Sequence, residues 1–201
     1  MRDTTFVIPY RDRQSHLDTF IPHLTRYLQN ADFTWQIVVV EQEAGKPFNR
    51  GKLLNIGFIE SESNYFVFHD VDMLPVTVDY SPCFGVKQLA GNRVQRVDFL
   101  CGVTMFQSAT FYQSGGYHND YFCRAEDNEM RFHLRRCKVP VHEKHGHFRT
   151  MNHARPLVEF DKALWEKAKQ PRSQTNQLML CNYAILSDKK EHGYRRLLVS
   201  I

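Results

Sequence analysis

Cysteine is sparse and unpatterned in this chain: positions 83, 101, 123, 137 and 181 carry it, an odd number with no C-x-x-C pair. That spacing excludes zinc ribbons and fingers and argues against a disulfide framework, so the core must hold the fold. No apolar run approaches the ~18 residues a spanning helix needs. Met1 stands just ahead of the first strand-like stretch, so no signal peptide is expected. The expectation is a soluble, reduced, cytoplasmic protein. A large excess of one charge is also missing. With 26 Lys and Arg against 22 Asp and Glu, the net charge of +4 is too small to predict nucleic-acid binding. Internal repeats, low-complexity tracts and interdomain linkers are absent as well, so 201 residues read as one domain with a sizeable core.

What the chain does have is aromatic weight, 13% overall with 15 phenylalanines, and a strand–helix alternation. "TTFVIP" (4–9) reads as a strand stopped by Pro9. In "RQSHLDTFIPHLTRYLQN" the apolar positions 17, 20, 21, 24 and 28 mark an amphipathic helix that Pro22 interrupts. "TWQIVVVEQ" is a second buried strand. "GKLLNIGFIESES" should be helical, with Leu54, Phe58 and Ile59 inward. "NYFVFHDVDMLPV" (64–76) is a third strand that ends on two carboxylates. Strand–helix–strand–helix–strand argues an α/β fold with a Rossmann-like, mostly parallel sheet. Ligands in such sheets bind at the carboxyl ends of strands, where Pro9–Arg13, Glu41–Arg50 and Asp70–Asp72 all fall. Further on, "SATFYQSGG" is a short helix closed by glycine, and "EDNEMRFHLRRC" is a helix with acid first and base last. "VPVHEKHGHFRTMNH" is extended and "PLVEFDKALWEKAKQ" is a surface helix. "LMLCNYAIL" and "YRRLLVSI" form a small antiparallel terminal pair around "SDKKEHG".

Five motifs carry chemistry. Asp70 and Asp72 at a strand end need a positive partner, because a buried carboxylate is costly alone; a metal ion, a basic side chain and water are the candidates. As a metal site they would suit Mg²⁺ or Mn²⁺ and a nucleotide's phosphates. A phosphatase of the haloacid dehalogenase type also uses D-x-D, but continues D-x-D-x-[TV], whereas position 74 is Leu. Asn49 and Arg50 precede a helix, where anions bind. Arg11 and Arg13 alternate at the end of strand one, and guanidinium forks suit phosphate or a planar base. Glu126 and Asp127 stand at a helix start, either complementing its dipole or supplying a general base. His142, His145, His147 and His153 lie in twelve residues, from which one or two could complete a metal site with Asp72.

"FNRGKLLNIGF" followed by "FVFHDVDMLP" resembles the β-1,4-galactosyltransferase family (glycosyltransferase family 7), which reads FNRAKLLNxGF and then FxDVDxxP. "IPYRDRQSHL" is similar to that family's IPxRxRxxHL, and "CGVTMFQSATFYQSGGYHNDYF" to its GGVxxxxxxxFxxxNGxxNxYW. "EDNEMRFHL" looks like EDDDxxxRL, and "SQTNQLMLCNYAIL" with "GYRRLLVSI" like its terminal strands. The motifs run in family order from Ile8 to Ile201.

The resemblance implies a GT-A type nucleotide-diphospho-sugar transferase fold over 1–201, with a nucleotide-binding half (1–75) and an acceptor and metal half (76–201). It implies metal-dependent inverting transfer of galactose or N-acetylgalactosamine from a UDP-sugar to a glycan hydroxyl, giving a β linkage, with Mn²⁺ or Mg²⁺ as cofactor. Pro9, Arg11, Arg13, Phe48 and Arg50 would hold the uridine and diphosphate, with Asp70 and Val71 at the nucleoside. Asp72 and His153 would ligate the metal. Thr150 or Met151 aligns with the family's remaining ligand, but His147 in "GHFR" is the better donor and is the expected third ligand. Asp127 would be the base, with Glu126 beside it. A UDP-sugar donor and a glycan acceptor are the expected partners, with peripheral association with a lipid-linked acceptor as an option. The family's W-G-W-G-G before E-D is replaced by Tyr121–Ala125, which alters a loop that closes over the donor. A catalytically silent UDP-sugar or glycan-binding relative is the alternative.

Overall fold

A computed structural model describes residues 2–90, 100–121, 125–152, 162–172 and 176–201. Three parallel strands form the centre. β1 (Arg2–Tyr10) lies between β2 (Trp35–Gln42) and β3 (Ser63–His69), with Ile8 opposite Val39 and Phe6 opposite Val67. Alternation along β1 divides the core. Phe6 and Ile8 pack under α1 (Gln14–Leu28), while Val7 faces α2 (Arg50–Ile59) on the other side. The stripe expected on α1 is the buried one: Leu17, Phe20, Ile21, Leu24 and Leu28. Pro22 does not end this helix. Both it and Asp18, whose carbonyl loses its amide donor, are exposed, so the unpaired oxygen is on the solvent side of the helix, where water can reach it.

Helix α2 departs from the expected one-sided stripe. Leu53, Leu54 and Ile56 are buried, Phe58 is half-buried, and Ile59 is exposed. It is clamped on several sides, so nearly its whole circumference is core. Its glycines permit that fit: a Cβ at Gly57 would stand 2.2 Å from Val7 Cγ1.

Beyond β3 the chain turns into β4 (Met73–Thr77), then β5 (Val86–Ala90) and β6 (Cys101–Gln107), which runs antiparallel to both β3 and β5. α3 (Ser108–Ser114) ends on Gly115 in the left-handed region, the glycine stop anticipated above. α4 (Glu126–Arg136) covers the sheet beside α2. It is followed by β7 (Val141–Glu143) at one sheet edge, by β8 (His147–Thr150), which pairs antiparallel with β4, and by α5 (Lys162–Ala168).

The expected antiparallel terminal pair is β9 (Ala184–Glu191) and β10 (Tyr194–Ser200), and one expectation changes there. The charged "SDKKE" is strand rather than turn, because Arg195 reaches across to Asp188 with two hydrogen bonds of 2.9 and 2.8 Å; only His192–Gly193 turns. The pair also joins the main sheet. β10 runs parallel to β2, which makes one eight-stranded sheet of order β7-β5-β6-β3-β1-β2-β10-β9. Among the described residues Cys83, Cys137 and Cys181 are free thiols. No helix among them is long and apolar enough to cross a membrane.

Candidate active site

Parallel pairing puts the carboxyl ends of β1, β2 and β3 on one edge, and the polar segments that follow them meet there. Pro9 is buried within β1 opposite Val40. Arg11 extends over the next loop, donating to the Lys46 carbonyl (2.6 Å) with its guanidinium 5.3 Å from the Phe48 ring centre. That loop is fixed from beneath. The Gln42 side chain donates to the Pro47 carbonyl (2.9 Å) and accepts from the Asn49 amide (2.8 Å). Asn49 then caps α2 by accepting from the Lys52 amide (2.9 Å), a contact that stabilises a helix by about 1 kcal/mol. Arg50 therefore leaves a rigid helix start.

Arg50 is the hub. Its Nε donates to Asp70 Oδ1 at 2.7 Å, its Nη1 donates to Asp127 Oδ1 at 2.9 Å, and Glu126 Oε1 lies 3.9 Å away. Burial works against the guanidinium's charge, but Asp127 and Asp70 outweigh it and hold the group firmly protonated. Arg13 stands 3.6 Å from Asp72. The two strand-end aspartates thus have basic partners, one of the three candidates left open by the sequence. Val71 between them is buried. His69, just before them, is neutral: burial pushes its pKa down to about 4. Its Nδ1 lies 2.9 Å from the Asp70 carbonyl and its Nε2 2.9 Å from the Tyr80 hydroxyl, so the imidazole braces the turn.

Asp127 is the perturbed acid of the site. Burial pushes its pKa up to about 8; Arg50 opposes this, while Glu126 and Asp70 add to it. Its side chain keeps 18% exposure, so a substrate hydroxyl can reach it. A carboxylate that titrates near neutrality in a cleft is suited to moving a proton.

The expected metal ligands do not all assemble. β4–β8 register sets His147 against Thr77, at the far end of the ribbon from Asp72. Met151 is the neighbour instead, its amide donating to the Asp72 carbonyl at 2.8 Å. His147 is four residues, roughly 13 Å of strand, farther along. His147 as a ligand beside Asp72 is therefore corrected: its chemistry is suitable, but its position in the ribbon is not. Thr150 lies opposite Met73. His153 lies outside the described residues, as do Phe122, Cys123 and Arg124. Among the described residues no group of three or more His, Cys, Asp and Glu is placed to hold a metal.

Sequence reasoning missed what holds the two halves of the site together. Asn55 on α2 accepts from the Tyr117 amide (2.8 Å) and donates to the Tyr117 carbonyl (2.7 Å), while Asn49 donates to the Asn119 carbonyl (2.5 Å). Asn119 in turn binds Gln177 through both its amide and its side chain. The visible signal was two asparagines on a helix that is otherwise buried. Glu129 is structural: Arg172 grips it with two bonds of 2.6 Å, both side chains almost wholly buried, and also donates to the Ser114 and Gly116 carbonyls. Tyr121 and Ala125, the two ends of the altered loop, pack against Leu164 and Ala168 of α5.

Residues 1–81 match the model of the N-terminal region of glycosyl transferase group 7. β-1,4-Galactosyltransferase 4 from Homo sapiens is 30% identical over 209 residues, covering 93% of this chain and 60% of the relative. The same enzyme from Cricetulus griseus is 28% identical, covering 96% of this chain and 62% of the relative. The chain thus spans about three fifths of the length of these relatives. In fold it superposes on the catalytic domain of Drosophila β1,4-galactosyltransferase 7, crystallised with xylobiose, at a TM-score of 0.86 and 23% identity, over 100% of this chain and 94% of that one. The fold is of the GT-A type. Strand-end arginines, the Asp70–Asp72 turn, an Asn-capped α2 and the acidic start of α4 lie in one crevice on that fold, in the order the motifs require, and the chain is similar to the β-1,4-galactosyltransferases over nearly its whole length.

Proposed function

We propose that this chain is a single GT-A domain that transfers galactose or N-acetylgalactosamine from a UDP-sugar to a glycan hydroxyl with inversion. One observation carries the reading: the Arg50 guanidinium joins the donor-side turn, through Asp70, to the candidate base Asp127. The Arg11–Phe48 pair offers a flat cationic surface to a pyrimidine, and Arg13 offers a cation to a diphosphate. Val71 lines the nucleoside side from a buried position, with Pro9 fixing the strand beneath.

Asp72 suits a hard divalent ion, being a carboxylate at a strand end, and its bond to Met151 leads the chain toward His153 two residues on. Asp72 and His153 would hold Mn²⁺ or Mg²⁺, with the Met151 thioether as neighbour. Such an ion, when bound, supplies charge neutralisation to a departing diphosphate.

Asp127 receives the acceptor's proton as that hydroxyl attacks the anomeric carbon from the face opposite the leaving group, so an α-linked donor gives a β-linked product. Arg50 restrains the carboxylate until the acceptor arrives. Because burial pushes its pKa up to about 8, the base form grows as pH rises through that value, and so should the rate. Glu126, buried next to it, keeps the pocket negative.

UDP-galactose and UDP-N-acetylgalactosamine turnover, assayed with and without Mn²⁺ for wild type and Asp72→Asn, tests this. Mn²⁺-dependent transfer lost in the variant is the expected result. UDP binding without turnover in wild type would instead favour a silent binding relative.

A further inference from the structure

Tyr117 leads the fully buried side chains by volume. Its main chain is pinned from both sides by Asn55, and its ring packs at 5.8 Å from Phe68 and 6.0 Å from Phe111. Tyr117 Cβ lies 3.2 Å, and Glu126 Cβ 3.3 Å, from where a Cβ on Gly51 would stand, so all three residues meet directly beside Arg50. From there the phenol feels the charges of Asp127, Arg50, Glu126 and Asp70. Yet its hydroxyl oxygen is buried with no hydrogen-bond partner among the described residues.

Phenylalanine would fill this space with no polar atom to satisfy, so the hydroxyl costs stability where it stands. Burial first, then the carboxylates, push the phenol's pKa well above its ordinary value against the pull of Arg50, so it is a neutral O–H donor at any working pH. Beside the contact of Tyr117 with Gly51 and Glu126, the carboxylates of Asp70, Glu126 and Asp127 all border the guanidinium of Arg50. When Asp127 leaves Arg50 for an acceptor hydroxyl, the carboxylates lose a donor at the moment one of them must stay ionised.

We propose that Tyr117 is a positioning residue for the base: its hydroxyl donates to the Glu126–Asp127 carboxylate pair in the acceptor-bound state and keeps Asp127 ready to accept a proton. The tyrosine retains its own proton throughout, and the acceptor's proton goes to Asp127. This rests on the reading of Asp127 as base.

The test is the pH dependence of transfer in Tyr117→Phe. The acid limb should move up by about one pH unit, with kcat at neutral pH falling about tenfold and the donor KM unchanged. The melting temperature should hold or rise, since an unsatisfied polar atom is removed. Site-specific 3-fluorotyrosine at 117, a stronger donor of nearly the same shape, should move the limb the other way and carries the test if Tyr117→Phe does not fold. A limb unshifted in both variants overturns the proposal. Asp127→Asn separates the two ideas: retained transfer in that variant overturns the base assignment itself, whereas lost transfer alongside unshifted Tyr117 variants overturns only the role of Tyr117.

Discussion

The edge of the sheet made by β1, β2 and β3 and the surface made by α4, β8 and the 115–121 segment contribute to one crevice by different means. On the sheet edge the polar residues follow buried strands whose register is fixed by parallel pairing: Arg11 and Asp70 come directly after β1 and β3, Asp72 closes the turn after β3, and Asn49 and Arg50 start α2 after a loop tied back to Gln42 at the end of β2. On the other surface, position depends on partners far away in sequence. Glu129 is held by Arg172, Asn119 by Asn55 and Gln177, and Asp127 by Arg50. Main-chain ladders place the first group, and side-chain networks place the second. Recognition chemistry can therefore rest on the sheet, whereas the group that moves a proton sits where the electrostatics can be tuned.

The contrast is broken most sharply at Asp127. Asp127→Asn should cut transfer by about 10²–10⁴ while UDP-sugar affinity stays within a few-fold, because the donor is gripped from the sheet edge. Single-turnover kinetics beside calorimetric UDP binding measures both, and a parallel loss of binding would move Asp127 to the structural group.

Next in size is the network side itself. Arg172→Met leaves Glu129 charged, buried and alone, and should cost about 3–5 kcal/mol of stability in denaturant titration. A loss below about 1 kcal/mol would mean that water enters and replaces the guanidinium.

On the sheet side, Gly57→Ala forces a methyl group against Val7 and should cost about 1–3 kcal/mol, read as a fall of several degrees in melting temperature. An unchanged midpoint would show that α2 can slide on β1.

A subtler effect is stability against pH. Folded Asp127, with its pKa pushed up to about 8, keeps a proton that the unfolded chain gives up near pH 4. The folded state binds more protons across that window, so this group's contribution falls as pH rises from about 4 to about 8. Asp127→Asn should flatten that slope in denaturant titrations run at several pH values; an identical slope would mean that another group causes it.

The smallest effect belongs to His147→Ala. With its side chain exposed at the Thr77 end of the ribbon, the substitution should leave Mn²⁺-dependent UDP affinity unchanged. A loss comparable with that of Asp72→Asn would show that the ribbon's register is different in the loaded protein.

The sequence by itself determined the central strands, the buried stripe of α1, the glycine stop after α3, the polarity of α4 and the convergence of three strand ends. Each of these follows from a period of two or 3.6, or from a single residue's conformational preference, and needs no distant partner. It also carried the family motifs, since residues that follow a buried strand keep their spacing whatever surrounds them. The tertiary structure alone decided which residue of the histidine-rich stretch lies beside Asp72, because pairing of β8 with β4 assigns that place to Met151 and sends His147 away. Only the fold could put α2 under cover on nearly every side, or carry "SDKKE" as a strand. The same holds for Arg50: a local reading makes it a surface cation at a helix start, and only the approach of α4, 77 residues on, gives it Asp127. Coulomb energy and desolvation depend on distances through space, and so the charge state of this site is a property of the packed molecule.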